Sequence, residues 1–193
     1  MSTQNIQTEN AADQSSDLPT TPQDLLVMLD DLQISYELHH HEPMFTVADG
    51  EEIEKDIPGT HCRNLFLRDK KKNMALIVAA NETALDMKKL APLIDMGRLS
   101  FGSKDRLWQY LGIRQGSVCP FCIVNDTDKQ VMLILDAYMM NQDIVNYHPL
   151  DNAMTIGLSP ADLIRFIEAQ GHAYKIVDLS RAKPDEEQKF LAS

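Results

Sequence analysis

THCRNLFLRDKKKNMALIV, residues 60–78, decides the fold, because it reads as a β-hairpin whose first strand carries charge. From Cys62 to Leu67 the side chains alternate, with Leu65 and Leu67 on one face and Asn64 and Phe66 on the other. Arg68 to Asn73 is polar and turn-forming, and Met74 to Val78 is an apolar return strand. Arg63 and Asn64 are out of place there, since core strands seldom begin with an always-charged guanidinium. The pair marks either an exposed strand end or a site.

Working outward toward the N-terminus, Thr21-Pro22-Gln23-Asp24 is a capping box with proline at the first helical position. The helix it opens places Leu25, Leu26, Met28, Leu29 and Leu32 on a core face. Ser35 to Leu38 suggests a short strand, and Thr46 to Glu54, another Thr-x-x-Asp start, an acidic helix. Beyond the hairpin, Asp86 caps a helix through Leu93, and Arg98 to Phe101 reads as a strand. Ser103 then caps a helix ended by Gly112, with Trp108 and Leu111 assigned to the core. Four further strands are expected at Phe121–Asn125, Val131–Leu135, Ile144–Tyr147 and Ala153–Leu158. Ser159-Pro160 starts a last helix, ended by Gly171, and Tyr174 to Val177 closes the core. Strands fall next to strands repeatedly. The expectation is an α/β (α+β) domain with a mixed, largely antiparallel sheet flanked by helices. Its bounds are 21–179, between a disordered tail over 1–20 and a charged tail over 180–193.

A chain of 193 residues with 44% hydrophobic content is enough for one domain with a real core. Its apolar runs fall far short of a membrane span, and its first residues, with no basic and no apolar region, are not expected to act as a secretory leader. Three cysteines are an odd number and do not suggest an extracellular disulfide framework, so a cytoplasmic protein without a membrane partner is expected. The net charge of −11 is segregated. Residues 1–60 hold 13 acidic and one basic residue, 61–114 hold 11 basic and 5 acidic, and 115–193 hold 6 basic and 11 acidic. A basic middle inside an acidic chain is compatible with contact to a limited piece of RNA, and also with a solvated face balancing its neighbours.

Two groups of residues could carry chemistry. Cys119-Pro-Phe-Cys122 is a C-x-x-C motif, but it is expected to run into a strand, without the helix N-terminus that stabilises a redox thiolate. Small semi-apolar filling is the better account of the two cysteines. His39-His40-His41 likewise invites a metal reading, yet three consecutive side chains of an extended segment cannot aim at one ion without a sharp bend. The second group is Arg63 and Asn64, the loop Gly116-Ser117-Val118-Cys119-Pro120, and His148-Pro149.

HCRNLFLRDKKKN resembles the H-x-K-N-L-F-L-x-D-K-K run of the YbaK/prolyl-tRNA editing family, in particular its free-standing trans-editing deacylases of the PrdX and ProXp-ala type. RLSFGSKDRLWQYLGIRQGSV, PFCIVND, YHPLDNAMTIGLS and GHAYKIVDL follow in the family's order, so the likeness covers roughly Thr21 to Leu179. It implies hydrolysis of the ester of a mischarged tRNA, Ala-tRNA(Pro) above all, with alanine admitted and proline excluded by size. It implies no cofactor, no metal and no Ser-His-Asp triad. The tRNA's own ribose hydroxyl takes part, and partners are the acceptor end of tRNA(Pro) and prolyl-tRNA synthetase. Carried over residue by residue, Arg63, Asn64 and His148 become the catalytic positions. Gly116, Ser117, Val118, Cys119, Pro120 and Pro149 then hold substrate, while the basic charge of residues 61–114 suggests that Arg68, Lys70, Lys71 and Lys72 meet tRNA phosphates. The chain departs from the family at Arg63, where relatives carry lysine, and at Cys119 and Cys122, where they carry small residues. Arginine replaces lysine as a fixed cation but not as a base, since its pKa lies above about 12. A non-catalytic binding module on the same fold therefore stays open, as does a redox or zinc protein built on Cys119 and Cys122.

Overall fold

The computed structural model describes residues 17–44 and 47–185. The helical start expected at Thr46 lies outside them, although the helix it would open, Val47–Glu54, is present. Five helices are α1 (Pro22–Asp31), α2 (Val47–Glu54), α3 (Met87–Leu93), α4 (Lys104–Leu111) and α5 (Pro160–Ala169). Eight strands are β1 (Tyr36–His40), β2 (Thr60–Arg68), β3 (Met74–Ala80), β4 (Ser100–Phe101), β5 (Val131–Asp136), β6 (Val145–Tyr147), β7 (Met154–Leu158) and β8 (Tyr174–Val177). They form one sheet in the order β1-β7-β6-β2-β3-β5-β8, with β4 added to β2. Four pairings are antiparallel (β1/β7, β6/β7, β2/β3, β2/β4) and three are parallel (β2/β6, β3/β5, β5/β8).

The hairpin forms as its alternation requires. Leu67 lies in an apolar layer with Ala75, Ile77, Ala79 and Leu90 of α3, and Leu65 packs against it. Phe66 faces the opposite layer, where α1, α4 and α5 pack Leu29, Leu111 and Phe166 over the sheet. All seven residues of β3 are buried, as expected of a strand covered on both faces. Helix starts follow local chemistry: the side chains of Thr21, Asp86, Ser103 and Ser159 each accept a main-chain N–H of the first turn.

Several expectations are corrected. Pro120–Asn125 is a 3-10 helix, not a strand. Proline following an extended Cys119 presets helical φ, and a short apolar run does not by itself distinguish strand from helix. The strand expected at Arg98–Phe101 shrinks to its last two residues. β8 is a half-exposed edge rather than a core strand, with Ile176 in solvent. Trp108 is exposed, while Leu111 on the same helix is fully buried. At the ends of the domain, packing reaches back to Leu18 and Thr20, whose hydroxyl donates to Asn125 at 2.7 Å, and forward to Leu179 and Ala182 beside α3. Among the described residues no helix is long and apolar enough to cross a membrane.

Candidate active site

The site is a gap in the hydrogen-bond ladder of β2. One edge of β2 pairs with β3 from Cys62 to Arg68. The other pairs with β6 only at Thr60 and His61, and with β4 only at Leu67 and Arg68. Asn81 N–H donates to the His61 carbonyl, which turns the odd-numbered main-chain groups toward β3. Thr60 N–H donates to Ile144 and the Phe66 carbonyl accepts from Gly102, so the even-numbered groups face the other way. Asn64 sits in the middle of that second edge, and no strand among the described residues covers it.

A pocket of about 400 Å³ opens at this gap, within the range of small-molecule sites, about 300–1,000 Å³. Its floor is Cys62 to Phe66. One wall follows β4 and α4 through Phe101, Gly102, Lys104 and Leu107, and the other is Gln115, Gly116, Val118 and His148. Two glycines shape it. A Cβ on Gly102 would stand 2.4 Å from Cδ1 of Phe66, so the wall meets the floor only without a side chain there. Gly116 has φ +103°, a conformation L side chains rarely adopt.

The polar groups fall into distinct roles. An Nη2–H of Arg63 donates to the Thr83 carbonyl, and its Nε is buried without a partner among the described residues. The guanidinium is thus anchored by one corner, with donor capacity left over. Asn64 Oδ1 is a buried acceptor, also unpartnered. His148 Nδ1 lies 2.9 Å from the Met154 carbonyl. A carbonyl only accepts, so Nδ1 carries the proton and Nε2 presents a lone pair. Burial lowers the His148 pKa below the usual histidine value, partly opposed by that hydrogen bond. At neutral pH the ring is a neutral acceptor. On the Gly116 loop, Ser117 N–H is tied to the Arg114 carbonyl and Cys119 N–H to Cys122 Sγ, and Pro120 has no N–H. Gly116 and Val118 have no main-chain partner among the described residues, which leaves their N–H groups free of main-chain bonds.

Of the residues singled out by sequence, Arg63, Asn64, Gly116, Val118 and His148 are brought together at the pocket. Ser117, Cys119, Pro120 and Pro149 do not line it, and the last three are buried behind it. Arg68 ends β2, and Lys70, Lys71 and Lys72 are exposed on the β2–β3 turn, away from the lining. The wall residues Phe101, Gly102, Lys104, Leu107 and Gln115 were missed as site residues, although FGSK lay inside a quoted motif. The motif leads into a helical turn, contrary to the strand expected to follow Cys119 and Pro120. The sulfurs of Cys119 and Cys122 are 3.5 Å apart, both wholly buried, and burial pushes the Cys122 thiol well up. That is the setting of packed thiols, not of an exposed reactive thiolate. The three histidines diverge: His39 approaches Glu37, His40 is exposed, and His41 bonds Glu42 and Thr155.

The aminoacyl-tRNA editing domain model matches residues 41–166. Prolyl-tRNA editing protein ProX of Acetoanaerobium sticklandii is 36% identical over 158 residues, which span 81% of this chain and 96% of that one. Prolyl-tRNA synthetase associated domain-containing protein 1 of Mus musculus is 32% identical over 146 residues, 73% of this chain and 86% of its own. The crystal structure of a candidate trans-editing enzyme for prolyl tRNA synthetase superposes with a TM-score of 0.61 at 14% identity, over 81% of this chain and 95% of that chain. At that identity the last likeness shows the fold alone. The chain belongs to the aminoacyl-tRNA editing domain family.

Proposed function

We propose that the chain is a free-standing deacylase of mischarged tRNA, with Ala-tRNA(Pro) as its substrate. One observation carries this reading: Arg63, Asn64 with its unpartnered acceptor, the neutral His148, and Gly116 and Val118 with unbonded main-chain amides all line one small pocket beside an open strand edge. An aminoacyl ester is already labile, so a site needs only to place the attacking water and stabilise the oxyanion. His148 Nε2 accepts a hydrogen bond from that water or from the neighbouring ribose hydroxyl. Water adds to the ester carbonyl, and its oxygen gains charge against the Gly116 and Val118 N–H groups. The carbon–oxygen bond to the ribose then breaks, and the ribose oxygen takes the proton. Asn64 Oδ1 accepts from the α-ammonium or a ribose hydroxyl, and the free N–H groups of Arg63 hold a phosphate or carbonyl oxygen.

Selection is by volume, with Phe66 and Leu107 closing the acyl end to a proline ring. Added methylenes bring only about 1–3 kcal/mol, so steric exclusion has to supply the rest. Contact with prolyl-tRNA synthetase, suggested by the relatives' names, belongs to the same proposal. The test is a panel of mischarged tRNAs incubated with micromolar protein without added metal. Ala-tRNA(Pro) is expected to lose its alanine much faster than Pro-tRNA(Pro) loses proline. Deacylation at the buffer rate across the panel overturns the reading and leaves a binding module.

A further inference from the structure

The pocket does not end at its mouth. Lys104 and Gln115 line it and also line a second groove, formed with Asp105, Trp108, Ile113 and Arg114. Phe101, 66% exposed, lines the pocket, and Trp108, 40% exposed, lines the groove. Both are large apolar surfaces left in water, whereas the other phenylalanines among the described residues, Phe66, Phe121 and Phe166, are buried. The Arg114 guanidinium lies 5.0 Å from the centre of the Trp108 ring. Lys104 and Trp108 are one helical turn apart on α4, so a cation, an aromatic face and a second cation succeed one another away from the pocket. Asp105 is the one acidic residue in that wall.

We infer that this groove holds the unpaired nucleotides leading into the pocket: the single-stranded 3′ end of the tRNA lies along α4, a base stacked on Trp108 and phosphates on Lys104 and Arg114. Alternating aromatic faces and cations are what a single strand recognises, since every base has a π-face and every linkage a charge. An apolar peptide would leave both cations unpaired. Continuity with the pocket supplies the direction: the terminal nucleoside occupies the gap in β2, Phe101 flanks it at the rim, and the preceding nucleotides pass over α4. The groove thus gives the deacylase a grip on RNA separate from its grip on the amino acid, and the inference rests on the deacylase reading.

The experiment compares two substrates, alanyl-tRNA(Pro) and the alanyl ester of adenosine, the second too short to reach Trp108. Trp108→Ala is expected to raise KM for the tRNA about 5- to 150-fold, the equivalent of one lost stacked base, with kcat held. Hydrolysis of the adenosine ester should change less than twofold, and Trp108→Phe should restore most of the KM. Arg114→Gln should flatten the salt dependence of tRNA binding by about 0.7 for the lost single-strand contact. Unchanged KM and salt slope in an active enzyme overturn the inference while the deacylase reading stands. So does an equal loss on both substrates at matched melting temperature, which would give Trp108 a merely structural part. A parent inactive on both substrates sinks the deacylase reading instead. Affinity for uncharged tRNA then still decides the groove, supporting it if Trp108→Ala weakens binding and overturning it if not.

Discussion

Gly102→Ala offers a direct test of how the pocket is walled. The added methyl would sit 2.4 Å from Cδ1 and 2.5 Å from Cε1 of Phe66, where ordinary contact is 3.4–4 Å. About 1 Å of overlap has to be relieved. The Phe66 ring is nearly buried, 6.5 Å from Tyr110 between centroids, and its carbonyl accepts from Gly102 itself at 2.9 Å. Neither side therefore yields freely, and overpacking of this kind costs about 1–3 kcal/mol. For a domain of this size that is a fall in Tm of roughly 2–12 °C, at about 2–4 °C per kcal/mol. The ring's open direction is the pocket, so kcat/KM should fall along with stability. Denaturant melts of Gly102→Ala, Phe66→Leu and the double variant isolate the contact. The double variant should recover most of the loss, with a coupling of at least about 1 kcal/mol. A loss below about 0.5 kcal/mol in the single variant, or strict additivity in the double, would refute the steric argument.

Arg63→Lys should keep or raise activity, because a cation remains at the position, whereas Arg63→Ala should lose about 2–4 kcal/mol of transition-state stabilisation. Deacylation by Arg63→Ala at the parent rate would remove the side chain from catalysis, and a dead parent revived by Arg63→Lys would make the natural protein a binder. For His148 the sign follows from burial, which lowers its pKa in the folded state and disfavours the charged ring. Activity should hold above pH 6.5 and drop on acidification through the lowered pKa, with stability falling from about pH 6.5 downward. The acid limb of the rate profile should vanish in His148→Gln, and a limb that survives belongs to another group. Neutralising Lys70, Lys71 and Lys72, exposed on the β2–β3 turn, should weaken tRNA binding and lower its salt slope by up to about one unit per contact. An unchanged slope would reduce them to a solvated turn.

The fold was legible where its cause is local. Thr21, Asp86, Ser103 and Ser159 announce helices because a side-chain oxygen two or three residues before an N–H caps it. Leu65 and Leu67 against Asn64 and Phe66 divide the faces of β2 because pleating has a period of two. The floor of the site was legible for the same reason, since Arg63 and Asn64 break a pattern. Its walls were not. Phe101, Gly102 and Lys104 enter only because two residues of β4 pair with the far end of β2, a contact between distant segments that no local periodicity records. The Cys119–Asn125 turn was misread because four apolar residues in a row satisfy strand and helix equally, and the proline before them was the signal to weigh. Trp108 was given to the core by composition, yet it leaves the buried stripe that Leu107 and Leu111 define.

The open edge of β2 separates what is conserved by geometry from what is free to drift. An insertion of one residue anywhere between Cys62 and Phe66 would invert every side chain beyond it and break the pairing with β3. The floor is therefore intolerant of length change. The walls hang on connections outside the ladder, from Glu82 to Leu99 and from Ser103 to Val118, where insertions and deletions leave the pairing of β2 and β3 untouched. A scaffold of this kind can change what its pocket admits by rewriting the walls while the floor stays fixed. Its relatives should differ in wall length far more than in the spacing of the residues beneath.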